Sequence, residues 1–244
     1  GTGGGVREIA RELDCDTLVI INGDALFDFQ LGPVLEAHYA RDAMGTLALR
    51  WVPPGAPFGR VGIDDNGRLW RISELSAAGH QPEKLQFGAF TGVQIVERAL
   101  LDRIPEGPCD ILRSAYKSYL AHNGPIFGHF VPRASAWFDV GTPERYLEAH
   151  HMILEGRLPV THLPPKASTN CWIDTTASVE PTAQILEPSV VMAGAQIGAG
   201  ATIGPYAFVD SRSVIEAGCT VKNAVVWSGA VVSGDVENQV VLPN

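Results

Sequence analysis

The chain has 244 residues, of which 45% are hydrophobic and 18% charged, and its formal net charge is −9 at pH 7. This composition is typical of a soluble globular protein, and since no run of eighteen apolar residues occurs, a membrane span is not expected. The acidic balance argues against a nucleic-acid-binding surface, although a local cluster of arginines is compatible with a small phosphorylated ligand. The four cysteines are far apart and form no Cys-x-x-Cys pair, which argues against a zinc or redox motif.

The chain opens with Gly-Thr-Gly-Gly-Gly, without an initiating methionine or a signal peptide. We therefore expect a cytoplasmic protein whose natural start lies upstream. An apolar three-or-four spacing predicts a helix that begins near Val6, with a face formed by Val6, Ile9, Ala10 and Leu13. Gly3 to Gly5 precede this helix. Their N–H groups suit an anion or a flat base, although a flexible terminal loop is the commoner explanation of such a run.

Strand and helix patterns alternate up to about residue 160. The apolar run Leu18–Ile21 suits a strand buried on both faces, and Asn22-Gly23-Asp24 ends it. Further strands are expected over 46–52, 61–63, 69–72 and 87–96, and further helices over 35–39 and 115–120. Asp65-Asn66-Gly67 has the chemistry of a hairpin turn between two of these strands. The alternation predicts a layered α/β sheet with helices on its faces.

The segment 137–156 combines a strand end, a tight turn and a helix start. Thr142 is suited to cap the helix and Pro143 to occupy its first position. The helical spacing and its stop are carried by Tyr146, Leu147, His150, Leu154 and Gly156. His150 and His151 are expected to be solvated or to cap the helix, not to bind metal. Asp139 is thereby left at the carboxyl end of a strand, the usual ligand edge of an open α/β sheet.

A six-residue repeat follows the proline-rich segment 159–165, which predicts one domain over 1–160 and a second over 161–244. The repeated aliphatic residues are Ile173, Val179, Ile185, Val191, Ile197, Ile203, Val209, Ile215 and Val221. The small residues four positions later are Ala177, Ala183, Ser189, Ala195, Ala201, Ala207, Ser213 and Cys219. This pattern predicts a hexapeptide β-helix with aliphatic residues inside and small residues at its corners. The frame slips near Val225, and an imperfect final coil with Val226, Val232 and Val236 is expected.

Asp24 and Asp139 are the candidate metal ligands, because two carboxylates at one sheet edge suit a shared Mg²⁺ that also binds substrate phosphates. For either aspartate alone, turn formation or helix capping is the commoner role. Gly23 and Gly141 would let a phosphate approach the backbone closely. The repeat contains no histidine after His162, which disfavours the histidine-dependent acyl transfer that hexapeptide β-helices commonly support.

Four segments resemble the sugar-1-phosphate nucleotidyltransferases, and within them the mannose-1-phosphate guanylyltransferases. They are Gly-Thr-Gly-Gly-Gly-Val-Arg at 1–7, Val-Ile-Ile-Asn-Gly-Asp at 19–24, Trp-Phe-Asp-Val-Gly-Thr-Pro-Glu-Arg-Tyr-Leu at 137–147, and the hexad repeat. The resemblance covers nearly the whole chain. It implies a Rossmann-like nucleotidyltransferase domain, truncated at its N-terminus, followed by a left-handed parallel β-helix. Its substrates would be a nucleoside triphosphate and a sugar 1-phosphate, with Mg²⁺ as cofactor.

Carried over by position, the resemblance implies roles for seven residues. Asp24 and Asp139 would hold the catalytic Mg²⁺, and Gly3 and Gly4 would lie against the nucleobase. Glu74 would bind a sugar hydroxyl, and Gly59 and Gly92 would line the sugar pocket. Gly23 joins them as a substrate-binding candidate through the close phosphate approach described above.

The chain departs from the family pattern in two places. Leu75-Ser76 follows Glu74 where the family has Lys-Pro, whose lysine contacts phosphate. The family's glycine-rich triphosphate loop would precede Gly1, so the chain is expected to be an incomplete enzyme, inactive alone.

The expected reaction is nucleotidyl transfer that yields GDP-mannose or a similar NDP-hexose together with pyrophosphate. The alternative is a non-catalytic subunit that binds nucleotide sugars. Either protein is expected to form a homo-oligomer through the β-helix, with Trp227 suited to anchor an interface or to cap the coil.

Overall fold

The computed structural model describes residues 2–53, 60–158, 163–164, 166–168 and 170–243, and it divides into two compact units, Gly1–Trp137 and Phe138–Asn244. The helices are α1 (Thr2–Glu12), α2 (Gly32–Tyr39), α3 (Arg98–Leu101), α4 (Lys117–Ala121) and α5 (Pro143–Leu154), with a π-helical turn at Leu112–Tyr116 directly before α4. None of these described helices is long and apolar enough to cross a membrane. The first strands are β1 (Thr17–Ile21), β2 (Ala25–Phe27), β3 (Gly45–Trp51), β4 (Arg60–Ile63), β5 (Leu69–Ile72), β6 (Leu75–Ser76), β7 (Gln86–Glu97), β8 (Ile126–Phe130) and β9 (Trp137–Asp139).

A mixed seven-stranded sheet organises the first unit, in the order β6-β5-β4-β7-β3-β8, with β1 paired to β7 beside this path. The long strand β7 is antiparallel to β1, β3 and β4, whereas β3 and β8 are parallel. Leu47 and Leu49 pack on one face with residues of α3, the π-helical turn and α4. Ala48 and Val93 pack on the other face with Val34 of α2. Helices therefore cover both faces, which confirms the predicted α/β layers.

The β4–β5 hairpin confirms the turn predicted at Asp65-Asn66-Gly67. The Asp64 carboxylate accepts the backbone N–H groups of Asn66 and Arg68, each at 2.9 Å. Gly67 has a φ of +82°, a conformation that costs glycine little. The Asp64 side chain thus accepts hydrogen bonds from backbone N–H groups that have no partner in the strand ladder where the chain reverses.

The predicted start of α1 is wrong, and its predicted face is correct only for Val6 and Ala10. The helix begins at Thr2 and includes Gly3 to Gly5, because these glycines let it approach the segment 107–111 closely. A Cβ on Gly3 would meet the Cys109 sulfur at 2.8 Å, and one on Gly4 would meet the Gly107 carbonyl oxygen at 2.9 Å. The buried side includes Gly3 and Ala10. Two residues of the predicted face are exposed instead, Ile9 and Leu13.

β1 is not buried on both faces as its apolar run predicted. Leu18 and Ile20 pack into the core, but Val19 and Ile21 are 41% and 46% exposed. Successive side chains of a strand point to opposite faces, and among the described residues nothing buries the second face of β1. An uninterrupted apolar sequence therefore does not by itself specify two covered faces.

Three stacks of short parallel strands form a solenoid in the second unit, as predicted. Its strands are β10 (Lys166–Ser168), β11 (Cys171–Ile173), β12 (Ser178–Val179), β13 (Gln184–Ile185), β14 (Ser189–Val191), β15 (Gln196–Ile197), β16 (Thr202–Ile203), β17 (Ala207–Val209), β18 (Val214–Ile215), β19 (Thr220–Lys222), β20 (Ala224–Val226), β21 (Val231–Val232), β22 (Val236–Glu237) and β23 (Val240–Val241). The stacks are β11-β14-β17-β20-β23, β12-β15-β18-β21 and β13-β16-β19-β22, and β10 pairs antiparallel with β11. The aliphatic hexad residues and the small residues form one continuous core. The left-handed sense of the solenoid stays a prediction.

The slip predicted near Val225 is a shortening of the coil. Val191 and Val209 are stacked partners eighteen residues apart, whereas Val209 stacks on Val226. Val221 then stacks on Val236 in a still shorter coil. The chain therefore loses residues at the corners and keeps its interior register, so the imperfect final coil is confirmed.

α5 begins at Pro143 with Thr142 as its cap, as predicted, and Gly156 adopts a φ of +72° after its end. Its residues cluster with the solenoid in the second compact unit. The compact units thus divide at Trp137, before the domain boundary predicted from the prolines. A boundary between compact units need not coincide with a boundary between sequence domains. The domain boundary between residues 160 and 161 therefore stays a prediction.

Candidate active site

A notch in the sheet of the first unit positions Asp24. On one side of β7, β1 pairs with Val93–Glu97 and β4 pairs with Gln86–Ala89. The carboxyl end of β1 and the amino end of β4 therefore approach one another across the intervening residues of β7. The turn Asn22-Gly23-Asp24 leaves β1 at this notch. The predicted placement of Asp24 directly after a strand is correct.

A bulge in β7 shapes the floor of the notch. Leu47 pairs with Gln94 and Leu49 with Phe90, so Ala48 alone opposes three residues of β7. The buried Thr91 hydroxyl donates to the Ala48 carbonyl oxygen at 2.9 Å. This bond satisfies a backbone acceptor at the point where the bulge interrupts the strand ladder. Bulges of this kind re-aim a strand and commonly lie beside active sites.

Gly92 lies at the centre of this bulge, against the Asp24 turn. Its φ is +85°, and its carbonyl oxygen accepts the Asn22 N–H at 2.9 Å. A Cβ on Gly92 would lie 3.0 Å from the Asn22 Cβ. Two of the candidate positions, Gly92 and the Asp24 turn, are therefore neighbours, and the glycine is required by its conformation.

Asp24 and Gly23 are both exposed. The Asp24 carboxylate has no hydrogen bond or ion pair with any residue that the structure describes. A Cβ on Gly23 would meet nothing within 4 Å, so the fold does not require glycine there. An unpartnered carboxylate beside open space at a strand end is available to a cation or to a substrate that carries one.

Glu74 lies in the tight turn between β5 and β6. Ile72 pairs with Val61, and Val61 pairs with Gly88, so the turn after Ile72 points toward the Gly92 end of β7. Since β4 separates β5 from β7, two strand spacings of about 4.8 Å set the lateral offset at roughly 10 Å. Glu74 therefore lies toward the same end of the sheet as the bulge.

Arg113, which the sequence analysis did not single out, lies beside Glu74. Its Nη2 is 3.6 Å from Glu74 Oε1, and both side chains line a groove of about 190 Å³ together with Asp110. Both groups are largely exposed, so the pair itself contributes little stability. No local motif could have predicted this pair, because Arg113 lies 39 residues beyond Glu74 in the sequence.

Arg50 is a second cation that the motifs missed. Its guanidinium carbon lies 5.0 Å from the centre of the Trp137 ring, and the Trp137 indole N–H donates to the Thr91 carbonyl oxygen at 2.7 Å. Arg50 is thus held near the bulge by an aromatic ring. A single charged residue within the apolar strand β3 was the available signal, since such residues are rarely placed inside a sheet without a function or a partner.

Asp139 ends β9 in the second unit, and a compact turn holds it. Its Oδ1 accepts the Gly141 N–H at 3.0 Å, and its carbonyl oxygen accepts Nε of Arg145 at 2.7 Å. The Arg145 guanidinium also stacks on the Phe138 ring at 4.4 Å. The Thr142 hydroxyl accepts the Arg145 N–H at 3.3 Å as the N-cap. Hydrogen bonds to its backbone and to its side chain therefore fix the orientation of Asp139 at the end of β9.

The start of α5 favours negative charge. The pKa of Glu144 is lowered because its carboxylate accepts its own backbone N–H and, to a smaller extent, the Thr142 hydroxyl. The free N–H groups and dipole of a helix N-terminus act in the same direction on any anion nearby. A phosphate or carboxylate beside Asp139 would experience this field.

The candidate set fits a magnesium ion by its chemistry, since Mg²⁺ takes one or two carboxylates together with phosphates and water. Within the described residues, no group of three or more His, Cys, Asp or Glu side chains is arranged to hold a metal without such additional ligands. Asp24 belongs to the first compact unit and Asp139 to the second. Their convergence on one ion stays a prediction.

Of the remaining candidate glycines, Gly3 and Gly4 lie within the described residues. The Gly3 N–H donates to the Cys109 carbonyl oxygen at 3.0 Å, and Gly3 and Gly4 pack against the segment 107–111. Their role toward a nucleobase stays a prediction. Gly59 lies outside the described residues.

Comparisons with known proteins give a consistent result. A family model described as Nucleotidyl transferase matches residues 1–156, a range that includes both Asp24 and Asp139. The chain is 33% identical over 161 residues to a mannose-1-phosphate guanylyltransferase of Mycobacterium tuberculosis, an alignment that covers 65% of this chain and 43% of that protein. It is 29% identical over 168 residues to a UTP–glucose-1-phosphate uridylyltransferase of Synechocystis, which covers 67% of this chain and 42% of that protein.

A third relative is the D-glycero-alpha-D-manno-heptose 1-phosphate guanylyltransferase of Aneurinibacillus thermoaerophilus, 28% identical over 158 residues, with 61% of each chain covered. The matched part of the chain thus spans less than half the length of the first two relatives. All three relatives are named as transferases that act on a sugar 1-phosphate. The alternative of a non-catalytic subunit finds no support in these matches.

Proposed function

Because the chain belongs to the nucleotidyl transferase family, we propose that it contributes the carboxylates and the sugar pocket of an enzyme that transfers a nucleotidyl group to a sugar 1-phosphate. The observation that carries the proposal is the exposed Asp24 carboxylate at the end of β1, which has no hydrogen bond or ion pair with any described residue and lies beside the Gly92 bulge, within the family match. Strand ends of α/β sheets are where such folds bind ligands.

In the proposed reaction, an oxygen of the sugar 1-phosphate attacks the α-phosphorus of the nucleoside triphosphate. A new P–O bond forms, the bond from the α-phosphorus to the bridging oxygen breaks, and pyrophosphate leaves with the electron pair. The attacking oxygen is already anionic, so the chain needs no general base. Catalysis then depends on positioning and on the neutralisation of phosphate charge.

The described residues divide this work. Asp24 and Asp139 would hold Mg²⁺, which when bound supplies charge neutralisation to phosphate oxygens. The N-terminus of α5 favours phosphate near Asp139. Glu74 accepts a hydrogen bond from a sugar hydroxyl, and Gly92 lines the sugar pocket beside the Asp24 turn.

Arg113 takes the part of the missing phosphate-binding lysine in this proposal. Its guanidinium lies in the same groove as Glu74, and Nη2 is 3.6 Å from that carboxylate. A guanidinium can hold two phosphate oxygens at once, whereas an ammonium acts as a point charge. The sugar 1-phosphate would therefore be gripped by its hydroxyl at Glu74 and by its phosphate at Arg113.

Substrate identity is proposed from the relatives. GTP and mannose 1-phosphate are the first choice, because the first relative is named as a mannose-1-phosphate guanylyltransferase and is the most similar of the three described. A homo-oligomer and a cytoplasmic location stay predictions.

The test of the metal role is substitution of each carboxylate in the intact protein. Asp24→Asn and Asp139→Asn are each expected to lower kcat/KM by about 100-fold or more, since changing residues that merely orient metal ligands already costs about 10–100-fold. Asp14→Asn controls for an exposed aspartate in the first unit. Asp174→Asn is a closer control for Asp139, because Asp174 also follows a strand and accepts the N–H two residues later, at 2.8 Å. Full activity in either candidate variant, with unchanged thermal stability, would exclude that residue as a ligand.

Substrate choice is tested by pairing four nucleoside triphosphates with mannose, glucose and heptose 1-phosphates and measuring pyrophosphate release. The highest kcat/KM is expected for GTP with mannose 1-phosphate. A preference for UTP with glucose 1-phosphate would agree with the proposed reaction type but would show that the proposed substrates are wrong.

A further inference from the structure

One outer face of the solenoid is apolar. Strands β11, β14, β17 and β20 have three residues each, and their middle residues stack in register on the outside. These residues are Trp172, Val190, Phe208 and Val225. On the other two faces, the outward residues are mostly polar and include Ser178, Gln196, Gln184, Thr202 and Thr220, with Val214 and Val231 as apolar members. Because the middle residues point away from the interior, the burial of Trp172, Val190 and Val225 requires an external cover.

α5 provides this cover. Leu154 forms a buried cluster with Trp172 and Val190. The His150 ring lies 5.1 Å from that of Phe208.

Three more contacts join the helix and its end to the solenoid corners. The His151 ring lies 4.6 Å from that of Tyr206, and His151 Nε2 is hydrogen bonded to the Asn223 side-chain oxygen. The Tyr146 and Trp227 rings are 6.3 Å apart. The contacts therefore extend from the first turn of α5 to its last. The expectation that His150 and His151 are solvated or capping is wrong, because both lie in this contact.

Asp139 lies four residues before the first residue of α5, Pro143. Arg145 bonds to the Asp139 carbonyl oxygen and stacks on Phe138, and it is adjacent in sequence to Tyr146. Asp139, its turn and the solenoid all belong to one compact unit. A chain of direct contacts thus runs from the Trp227 corner, through Tyr146 and Arg145, to the backbone of the candidate metal ligand.

We propose that the solenoid is the positioning element for the Asp139 carboxylate, and that Phe208, Trp227 and His151 act as positioning residues through α5. The inference rests on the proposed function, since Asp139 matters to turnover only as a metal ligand. Its physical basis is that a displacement of about 1 Å at a reacting centre can cost about 100-fold in rate. A helix that contacts the solenoid from Tyr146 to Leu154 is held against such displacement.

The test uses amide hydrogen exchange of the intact protein, followed in peptides that cover residues 139–147. Trp227→Ala is the main variant, because Trp227 is 43% exposed and its loss does not empty the core. Leu186→Ala is the matched control, since Leu186 is 41% exposed and follows β13, which belongs to a different stack from the one that α5 covers. Phe208→Ala is the second variant, with Phe208→Leu to test rescue by an apolar side chain.

Exchange at 139–147 is expected to accelerate by about threefold to tenfold in Trp227→Ala and Phe208→Ala, the change that corresponds to loss of one aromatic contact. Exchange in the strands at 184–185 and 202–203 should stay at its original rate. The Mg²⁺ concentration for half-maximal activity should rise and kcat should fall, with KM for the sugar phosphate unchanged. Leu186→Ala should match the original protein in every measurement.

Unaltered exchange at 139–147 in Trp227→Ala overturns the proposal, whatever happens in Phe208→Ala. Accelerated exchange with no change in Mg²⁺ dependence or kcat also overturns it, because α5 would then be held without consequence for the carboxylate. The proposed function is judged separately by Asp139→Asn. If that variant is fully active while exchange still responds to Trp227→Ala, the metal role fails and the mechanical link remains.

Discussion

The solenoid and the seven-stranded sheet bury their cores in different ways. In the solenoid, Ile203 stacks between Ile185 and Val221, so each coil is stabilised mainly by its two neighbours. In the sheet, β7 unites β1, β3 and β4 through pairings that differ from strand to strand. A repeating core presents equivalent surfaces at every coil. The candidate site residues lie where regularity ends, at the β7 bulge and at the start of α5.

The largest expected effect is on the repeating core itself. Ile203→Ala should lower the free energy of unfolding of the second unit by about 2–4 kcal/mol, because it leaves a cavity in a fully buried stack. Thr202→Ala, its outward neighbour, should cost under about 1 kcal/mol. Denaturant unfolding gives both values, and hydrogen exchange locates them. Since coils contact mainly their neighbours, loss of protection should be greatest in the adjacent coils; equal loss in β3 and β7 would contradict this local core.

The next largest effect is expected at the irregular point of the sheet. Gly92→Ala should destabilise the first unit by about 1–2 kcal/mol, because its φ of +85° is costly for any residue with a Cβ and the new atom would press on Asn22. It should also displace the Asp24 turn and lower kcat. Gly32→Ala is the matched control, since Gly32 begins α2, is not a candidate site residue, and would place a Cβ that meets nothing within 4 Å. Equal activity in the two variants would show that the bulge does not position Asp24.

The same contrast explains what the sequence could predict. The hexad repeat specified the solenoid because each coil repeats one local rule, and Thr142-Pro143 specified the start of α5 because capping is local. The burial of β1 and α1 depends on which other elements cover them, so Val19, Ile21 and Ile9 were placed wrongly. No local rule indicates that Arg113 meets Glu74. The apolar side chains of Trp172, Val190 and Phe208 were an available signal of a covered face, but the sequence analysis did not use it.

A smaller effect is expected from pH, at the contact between α5 and the solenoid. Burial lowers the pKa of His150 below its ordinary value of 6.5, and His151 acts in the same direction, whereas the Tyr146 carbonyl oxygen and Asp210 oppose it. The folded chain then binds a proton at His150 less readily than the unfolded chain. The stability from neutral His150 is therefore complete above pH 6.5 and is lost as the pH falls below that value.

Hydrogen exchange of α5 should accordingly speed up between pH 7 and pH 5, after correction for the intrinsic pH dependence of exchange. His150→Asn should reduce this acceleration. The pKa of His129 is also lowered, by burial and by Arg41, so a global melting temperature would mix the two histidines. A variant with the full acid response of the original protein would exclude His150 as its source.

The smallest effect on stability is expected from Arg113→Ala. This variant tests a binding role in the first unit, whereas the solenoid variants test positioning and stability. The pair of Arg113 with Glu74 is exposed, so unfolding should change by under about 1 kcal/mol. KM for the sugar 1-phosphate should nevertheless rise by about tenfold, because a charge-assisted contact to phosphate is worth about 1.5–3 kcal/mol. Arg113→Lys should recover part of that loss, and Arg71→Ala provides an exposed arginine on β5 as the control. Since a general electrostatic loss would raise KM for the triphosphate equally, a rise confined to the sugar phosphate identifies Arg113 as the cation that replaces the absent lysine.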